Sequence, residues 1–239
     1  MPADLAVILT ARNEADRIGA TLAALRATFP EADVVVADDA SDDATRRIAE
    51  DAGARVVRAS VGLGKGGAAT LAAGAVDARV VLFADADLGE SARELAELVD
   101  VLGNRDADAT ADAGGAGASA AADPPDLVIA AFSRKEGGGF GIAVGAARRA
   151  IRSATGREMQ APISGQRAMR REVLDAVLPF APGFGMETGM TIDAIRAGFR
   201  VVEVELDLEH RATGRTPRGF AHRARQLRDI VRAYASRRS

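Results

Sequence analysis

The chain is predicted to fold as an α/β protein, a mostly parallel central sheet with helices on both faces. Three observations predict it. Short apolar runs rich in valine and alanine alternate with segments whose apolar residues recur every three or four positions, the patterns of buried strands and of the helices that cover them. Acidic or glycine-rich residues follow most of the apolar runs, and open sheets of this class bind ligands beyond the carboxyl ends of their strands. Finally, 239 residues suffice for one good core, and neither an internal repeat nor a second core is visible.

The elements follow in order. "LAVILT" (5–10) is a buried strand, and in the "ARNEADRIGATLAALRATF" after it Ile18, Leu22, Leu25 and Phe29 share a helical face, with Asn13 as the expected N-cap. "DVVVAD" (33–38) is a second strand. "SDDATRRIAEDAG" is a second helix, with Ser41 or Asp42 as its cap and Gly53 at its end. "ARVVRA" is a third strand, "GLGKGGAATLAAGAV" a glycine-rich turn opening a helix of small residues, "RVVLFAD" a fourth strand and "ESARELAELVDVLG" the helix after it. Residues 106–125 then contain no large apolar side chain, so ordering them would bury too little to offset lost chain entropy, and a flexible surface insertion is expected. Order resumes at "DLVIAAF" (126–132), a fifth strand. A helix-rich stretch follows to Arg157, then "GFGMETGMTIDAIRAG" as a helix, "FRVVEVELDLEH" (199–210) as a late strand and a basic C-terminal helix over 217–237. The whole of 1–239 is read as one domain.

Composition excludes several chemistries. With no cysteine there is no disulfide, thiolate metal site or cysteine nucleophile, and His210 and His222 are too few for a histidine cage. A metal would be held mainly by oxygen, which favours magnesium or manganese. No signal-type leader opens the sequence and no apolar run reaches the ~18 residues of a membrane span, so the expected location is the cytoplasm, with peripheral contact at the inner membrane face as an extension. That extension comes from residues 211–239, which carry nine arginines and one acid, Asp229. In the last helix Phe220, Leu227, Ile230, Val231 and Tyr234 form an apolar stripe, which either packs on the domain or lies on a membrane surface. Nucleic acid is not an expected partner, because with 4% aromatic residues there is no stacking platform.

Four constellations carry chemistry. Asp85 and Asp87 end the fourth strand one residue apart. Such a pair is either a strand-ending turn or a cation site, and a divalent cation between carboxylates and phosphates is the usual magnesium arrangement. Asp38 and Asp39 end the second strand, beyond what a turn requires, and can accept from a base or a ribose. Glu14 after the first strand is placed to do the same, or else sits in the first turn of its helix. The "GLGKGGAAT" loop (62–70) is not a P-loop, since Gly67 follows where Ser or Thr would stand. It still offers backbone N–H groups and Lys65 to a phosphate, or is a plain tight turn. Late in the chain, Glu187 is a candidate general base or acceptor-orienting carboxylate, His210 a candidate third metal ligand, and Arg211 and Arg215 candidate phosphate ligands.

In this order, "LTARNEADRIGATL", "VVVADDASDDAT", "GLGKGGAAT", "FADADL", "ISGQRAMRREVL" and "GFGMETGMTIDAIRAGFRVVEVELDLEHRATGR" resemble the GT-A glycosyltransferases of family 2 over nearly the whole chain. The likeness is to the catalytic domains of dolichyl- and polyprenyl-phosphate glycosyltransferases and, around "GFGMETG", to glucosyl-3-phosphoglycerate synthases. It implies a nucleotide-diphosphate sugar donor and a divalent cation. Glu14 and Asp39, with Asp38 beside them, would contact the nucleoside. Asp85 and Asp87 would engage metal and diphosphate, with Asp87 the catalytic aspartate, and Arg211 and Arg215 would bind phosphate. Two positions depart from the polyprenyl-phosphate pattern: Gln166 stands where an aromatic residue is usual, and the lysine of the late basic segment is missing. Both bear on the acceptor, expected to be a phosphorylated small molecule or lipid. A homodimer is left open. A sugar-1-phosphate nucleotidyltransferase ranks lower because "TARNEAD" lacks the glycine-rich loop expected after the first strand, and a non-catalytic nucleotide-sugar-binding protein ranks lower because the acids are intact.

Overall fold

The computed structural model describes residues 4–103, 124–132, 141–208 and 217–237. Seven strands form one sheet: β1 (Leu5–Ala11), β2 (Asp33–Asp38), β3 (Arg55–Arg58), β4 (Val80–Asp85), β5 (Leu127–Phe132), β6 (Arg167–Arg170) and β7 (Val201–Leu206), in the spatial order β3-β2-β1-β4-β6-β5-β7. Every neighbouring pair is parallel except the two that involve β6, which runs against both β4 and β5. The sheet is therefore mostly parallel, as expected from the alternation of elements.

Strand periodicity divides the core into two layers. Ile8, Val35, Val81, Phe83, Ile129 and Met169 point to one face, under α3 (Gly64–Ala73), α6 (Arg171–Val177) and α7 (Met186–Arg196). Val7, Leu9, Val36, Leu82, Val128 and Ala168 point to the other, under α1 (Ile18–Thr28), α2 (Thr45–Asp51) and α4 (Ala96–Gly103). Both faces are buried, which is why the central strands read as unbroken apolar runs. Among the described residues the two remaining α-helices are α5 (Gly141–Thr155) and α8 (Pro217–Ala235).

Several boundaries differ from expectation. Helix α1 starts at Ile18, so Asn13 is not its cap; Asn13 has a left-handed φ of 56° and its Oδ1 accepts the Asp42 N–H. Glu14 likewise precedes the helix, and its carbonyl accepts the N–H groups of Arg17 and Ile18. Neither Ser41 nor Asp42 caps α2: the Ser41 hydroxyl accepts from Asn13 N–H, and the carboxylate at the helix start is Asp43, which accepts Thr45 N–H at 2.9 Å. Gly53 ends that helix with φ 77°, as expected. The helix after β4 opens as a 3₁₀ segment, Gly89–Leu95, before α4. Of the expected insertion, 106–123 lies outside the described residues; Pro125 is buried. On α8, Ile230 is buried and Leu227 and Tyr234 half-buried, but Val231 is 54% exposed and does not belong to the inward stripe. The helix packs against α5, α7 and the 3₁₀ turn Gly183–Gly185. No helix among the described residues is long and apolar enough to cross a membrane.

Candidate active site

The parallel arrangement brings the ends of β1, β2 and β4 to one edge of the sheet. Because β6 is reversed, its beginning and the residues before it arrive at that same edge. Asp38 and Asp39, Asp85 and Asp87, and the loop before β6 are thus neighbours by topology.

Lys65, in the first turn of α3, joins two of the predicted acids. Its Nζ lies 2.6 Å from Asp85 Oδ1 and 2.7 Å from Glu187 Oε1. Gln166 Nε2 donates to the other Asp85 oxygen at 2.9 Å, and Ser164 Oγ in turn donates to Gln166 Oε1 at 3.1 Å. A Cβ on Gly165 would come within 2.7 Å of both Asp85 Oδ2 and Lys65 Nζ, so only glycine leaves them room. Burial favours the neutral form of both groups. Yet Asp85 and Glu187 outweigh it and raise the Lys65 ammonium, while Lys65, Gln166 and Thr10 hold the Asp85 carboxyl below its ordinary 3.8.

Asp39 is tied to the glycine-rich loop. Its carboxylate accepts Leu63 N–H at 2.6 Å and Gly64 N–H at 3.0 Å, and Arg12 Nη1 lies 3.2 Å from its second oxygen. Two amides of the loop expected to face a phosphate are thus directed to Asp39, and the loop's lysine is already balanced by carboxylates. Asp38 is fully buried, accepts Ser41 N–H at 3.0 Å and stands 3.4 Å from Arg58 Nε. Glu14 is half-exposed after β1, and its N–H donates to Thr45 Oγ1.

The turn that carries Asp87 is pinned from below. Thr21, fully buried on α1, donates to Ala86 C=O at 2.9 Å and accepts Gly89 N–H at 2.9 Å, bracketing Asp87 on both sides. Among the described residues no three His, Cys, Asp or Glu side chains cluster as a metal cage. His210, Arg211 and Arg215 lie outside the described residues.

Behind Glu187 sits Arg167, also fully buried. It donates to Ser164 C=O at 2.7 Å and Thr191 Oγ1 at 2.8 Å, and the Thr191 hydroxyl bonds to Glu187 C=O. Burial pushes its guanidinium down to about 10, against the pull of Glu187 and Glu203. Thr21, Arg12 and Arg167 were not singled out from sequence. The buried Arg167 and Thr21 carry no local signal of what they touch, and the exposed Arg12 reads as an ordinary surface charge, whereas Gln166 did stand out by its departure from the expected aromatic.

Residues 6–178 match the family described as glycosyl transferase family 2, and the chain belongs to it, with the GT-A fold of its structural neighbours. Two relatives come from Haloferax volcanii. Glycosyltransferase AglD is 31% identical over 219 residues, covering 86% of this chain and 33% of its own length, and glycosyltransferase AglJ is 30% identical over 213 residues, covering 85% and 62%. The chain thus spans about a third of one and under two thirds of the other. Among solved structures, glucosyl-3-phosphoglycerate synthase from Mycobacterium tuberculosis in complex with phosphoglyceric acid superposes with TM-score 0.74 at 27% identity, covering 98% of this chain and 80% of that one. The same enzyme with Mn²⁺, uridine diphosphate and glucosyl-3-phosphoglycerate gives TM-score 0.72 at 27% identity, with the same coverage.

Proposed function

We propose that residues 1–239 act as one metal-dependent glycosyltransferase domain that moves a sugar from a nucleotide-diphosphate donor to a phosphate-bearing acceptor. The observation that carries this reading is the convergence of Asp85 and Glu187 on Lys65, and of Asp39 on the amides just before it, at the carboxyl edge of a family 2 fold. The M. tuberculosis synthase, with Mn²⁺ and a uridine nucleotide bound, supports the donor and cation classes.

The donor set of this edge suits a hard cation: carboxylate oxygens and no thiolate. Asp87 is the principal ligand we assign, from its place at the strand end, with Asp85 beside it and His210 as the third. A divalent cation held by these residues would neutralise charge on the departing nucleoside diphosphate. Glu14 and Asp39 receive the nucleoside, with the buried Asp38 beside them holding the turn through Ser41 N–H. Lys65 is charge-balanced before any donor arrives and so contributes positioning more than net field. Arg211 and Arg215 are the assigned phosphate ligands. An acceptor oxygen attacks the anomeric carbon as the bond to the diphosphate breaks. An anionic phosphate acceptor needs no base, whereas a hydroxyl acceptor would pass its proton to Glu187.

Polyprenyl phosphate is the first acceptor assigned, from the order of sequence motifs. A small phosphorylated acceptor is the second reading, favoured by the M. tuberculosis enzyme, whose structures contain phosphoglyceric acid or glucosyl-3-phosphoglycerate. Contact of α8 with a membrane surface belongs to the first reading, and self-association stays open in both. The test is a turnover screen of uridine, guanosine and adenosine diphosphate sugars against polyprenyl phosphate and 3-phosphoglycerate, with and without Mn²⁺ or Mg²⁺. Metal-dependent release of nucleoside diphosphate with one acceptor selects between the readings. Binding without turnover on the whole panel overturns the catalytic assignment.

A further inference from the structure

We propose that Asp229, on the C-terminal helix α8, is a positioning residue for the donor site, acting through the Gly183–Gly185 turn on the glycine-rich loop. The inference rests on the donor reading above for its functional meaning, but its structural content stands apart from it.

Asp229 is the only acid between 211 and 239, and it points inward, 8% exposed, on a helix whose described arginines are mostly at the surface. Its Oδ2 accepts Phe184 N–H at 3.3 Å, while Oδ1 accepts from its neighbour Arg228 at 3.0 Å. The turn it reaches is shaped to admit it. Gly183 has φ 59°, and a Cβ there would lie 2.3 Å from Asp229 Oδ2, a distance no side chain tolerates.

The other side of that turn presses on the donor loop. A Cβ on Gly66 would lie 2.0 Å from Ala181 C=O, and one on Gly64 would lie 3.2 Å from Gly183 Cα. Gly64 is itself one of the two amides that Asp39 holds, and Lys65 follows it. The turn also leads directly into Glu187, the second partner of Lys65. One carboxylate on the last helix therefore fixes a turn with two outputs, the height of the glycine-rich loop above β2 and the start of α7. Backbone packed with no room for a Cβ between the segments transmits a displacement, because no side chain lies there to absorb it.

The end of α8 and the residues after it provide a control. Arg237, just past the helix, binds Asp193 of α7 through 2.6 and 2.7 Å contacts, and Tyr234 OH meets Ser153 of α5 at 2.7 Å. These anchor the helix without touching the turn.

The test compares amide hydrogen exchange in Asp229→Ala, Asp229→Asn, Gly183→Ala and Arg237→Ala with the parent chain, resolved at Leu63, Gly64 and Phe184. Asp229→Ala and Gly183→Ala are expected to speed exchange about tenfold at all three amides, the loss of one hydrogen bond to a charged acceptor. Asp229→Asn keeps an oxygen for Phe184 N–H and should restore protection. Arg237→Ala should lower the melting temperature without changing Leu63 or Gly64. Unchanged exchange at Leu63 and Gly64 in Asp229→Ala, or equal loss there in Arg237→Ala, overturns the proposal. Calorimetric binding of uridine diphosphate with Mn²⁺ forms the second arm: weaker binding in Asp229→Ala than in Arg237→Ala is expected. If the parent chain binds no nucleotide, the donor reading fails, while the exchange result still decides whether Asp229 sets the loop.

Discussion

Lys65 Nζ lies 2.7 Å from Glu187 Oε1, so the helix that follows β3 and the helix that precedes β7 meet through one ion pair at the sheet edge. The Glu187 side chain is 4% exposed and the lysine 18%, too enclosed for either charge to be left alone. Removing one partner strands the other, which is costlier than never having had the pair.

Lys65→Met should therefore destabilise the protein by about 2 kcal/mol, below the full cost for a buried pair because Asp85 stays partly in solvent. Adding Glu187→Gln to that variant should recover part of the loss. Urea unfolding of the four members of the cycle checks both, and additive losses would show the two groups to be uncoupled.

The same pair sets a dependence on pH. The Lys65 pKa is raised on folding, so its contribution is complete below the unfolded lysine value of about 10.4 and disappears as pH rises through the folded value. The Asp85 pKa is lowered, so its contribution is present above 3.8 and disappears as pH falls through the folded value. Stability measured against pH should fall on both sides. The gap between parent and Lys65→Met should begin to narrow as pH falls below 3.8 and close through the lower folded value, where the Asp85 carboxylate is lost.

Asp87→Ala should abolish metal-dependent turnover, a loss on the order of a thousandfold, while the melting temperature changes little. Product release against Mn²⁺ concentration, with circular dichroism alongside, tests it. A variant with full activity would remove Asp87 from the metal assignment.

Thr21→Val should leave Ala86 C=O and Gly89 N–H without partners, costing about 1–3 kcal/mol. It should also raise the Mn²⁺ concentration needed for half-maximal turnover, since the turn bearing Asp87 loses its brace. Thr21→Ser, which retains the hydroxyl, should restore the metal response. Equal metal response in Thr21→Val would reduce Thr21 to a core residue.

Deleting residues 106–122 should leave the melting temperature nearly unchanged, because the sequence there holds no large apolar side chain to bury. Extending the deletion through Pro125, which is buried, should lower it. Thermal denaturation of the two deletions separates these outcomes.

The strands that were legible in sequence are those whose residues are apolar on both faces, such as "VVLFAD". Strand β6 was not, because "RAMR" contains Arg167, a buried charge whose partners, Ser164 C=O and Thr191 Oγ1, come from the preceding loop and from another helix. The site was legible to the same depth. Asp39 and Asp85 announced themselves as carboxylates where apolar runs stop. That Asp39 would bind the amides of Leu63 and Gly64, and that Lys65 would serve two acids at once, depended on which strand lies beside which. Local pattern does not encode that. Asn13 misled because asparagine favours both helix caps and left-handed turns, and here the turn prevails.

The reversed strand has a consequence for how the molecule comes apart. Strands β1 to β4 are built by residues 5–85 and lie side by side, while β5 to β7 come from 127–206. The early and late parts of the sheet are sewn together along one short seam, from Val80 opposite Arg170 to Phe83 opposite Arg167. Asp85 and Gln166 sit just past its end. A molecule that touches Asp39 on one side and Glu187 on the other would hold the early and late parts of the sheet together, so its occupancy would stabilise that seam.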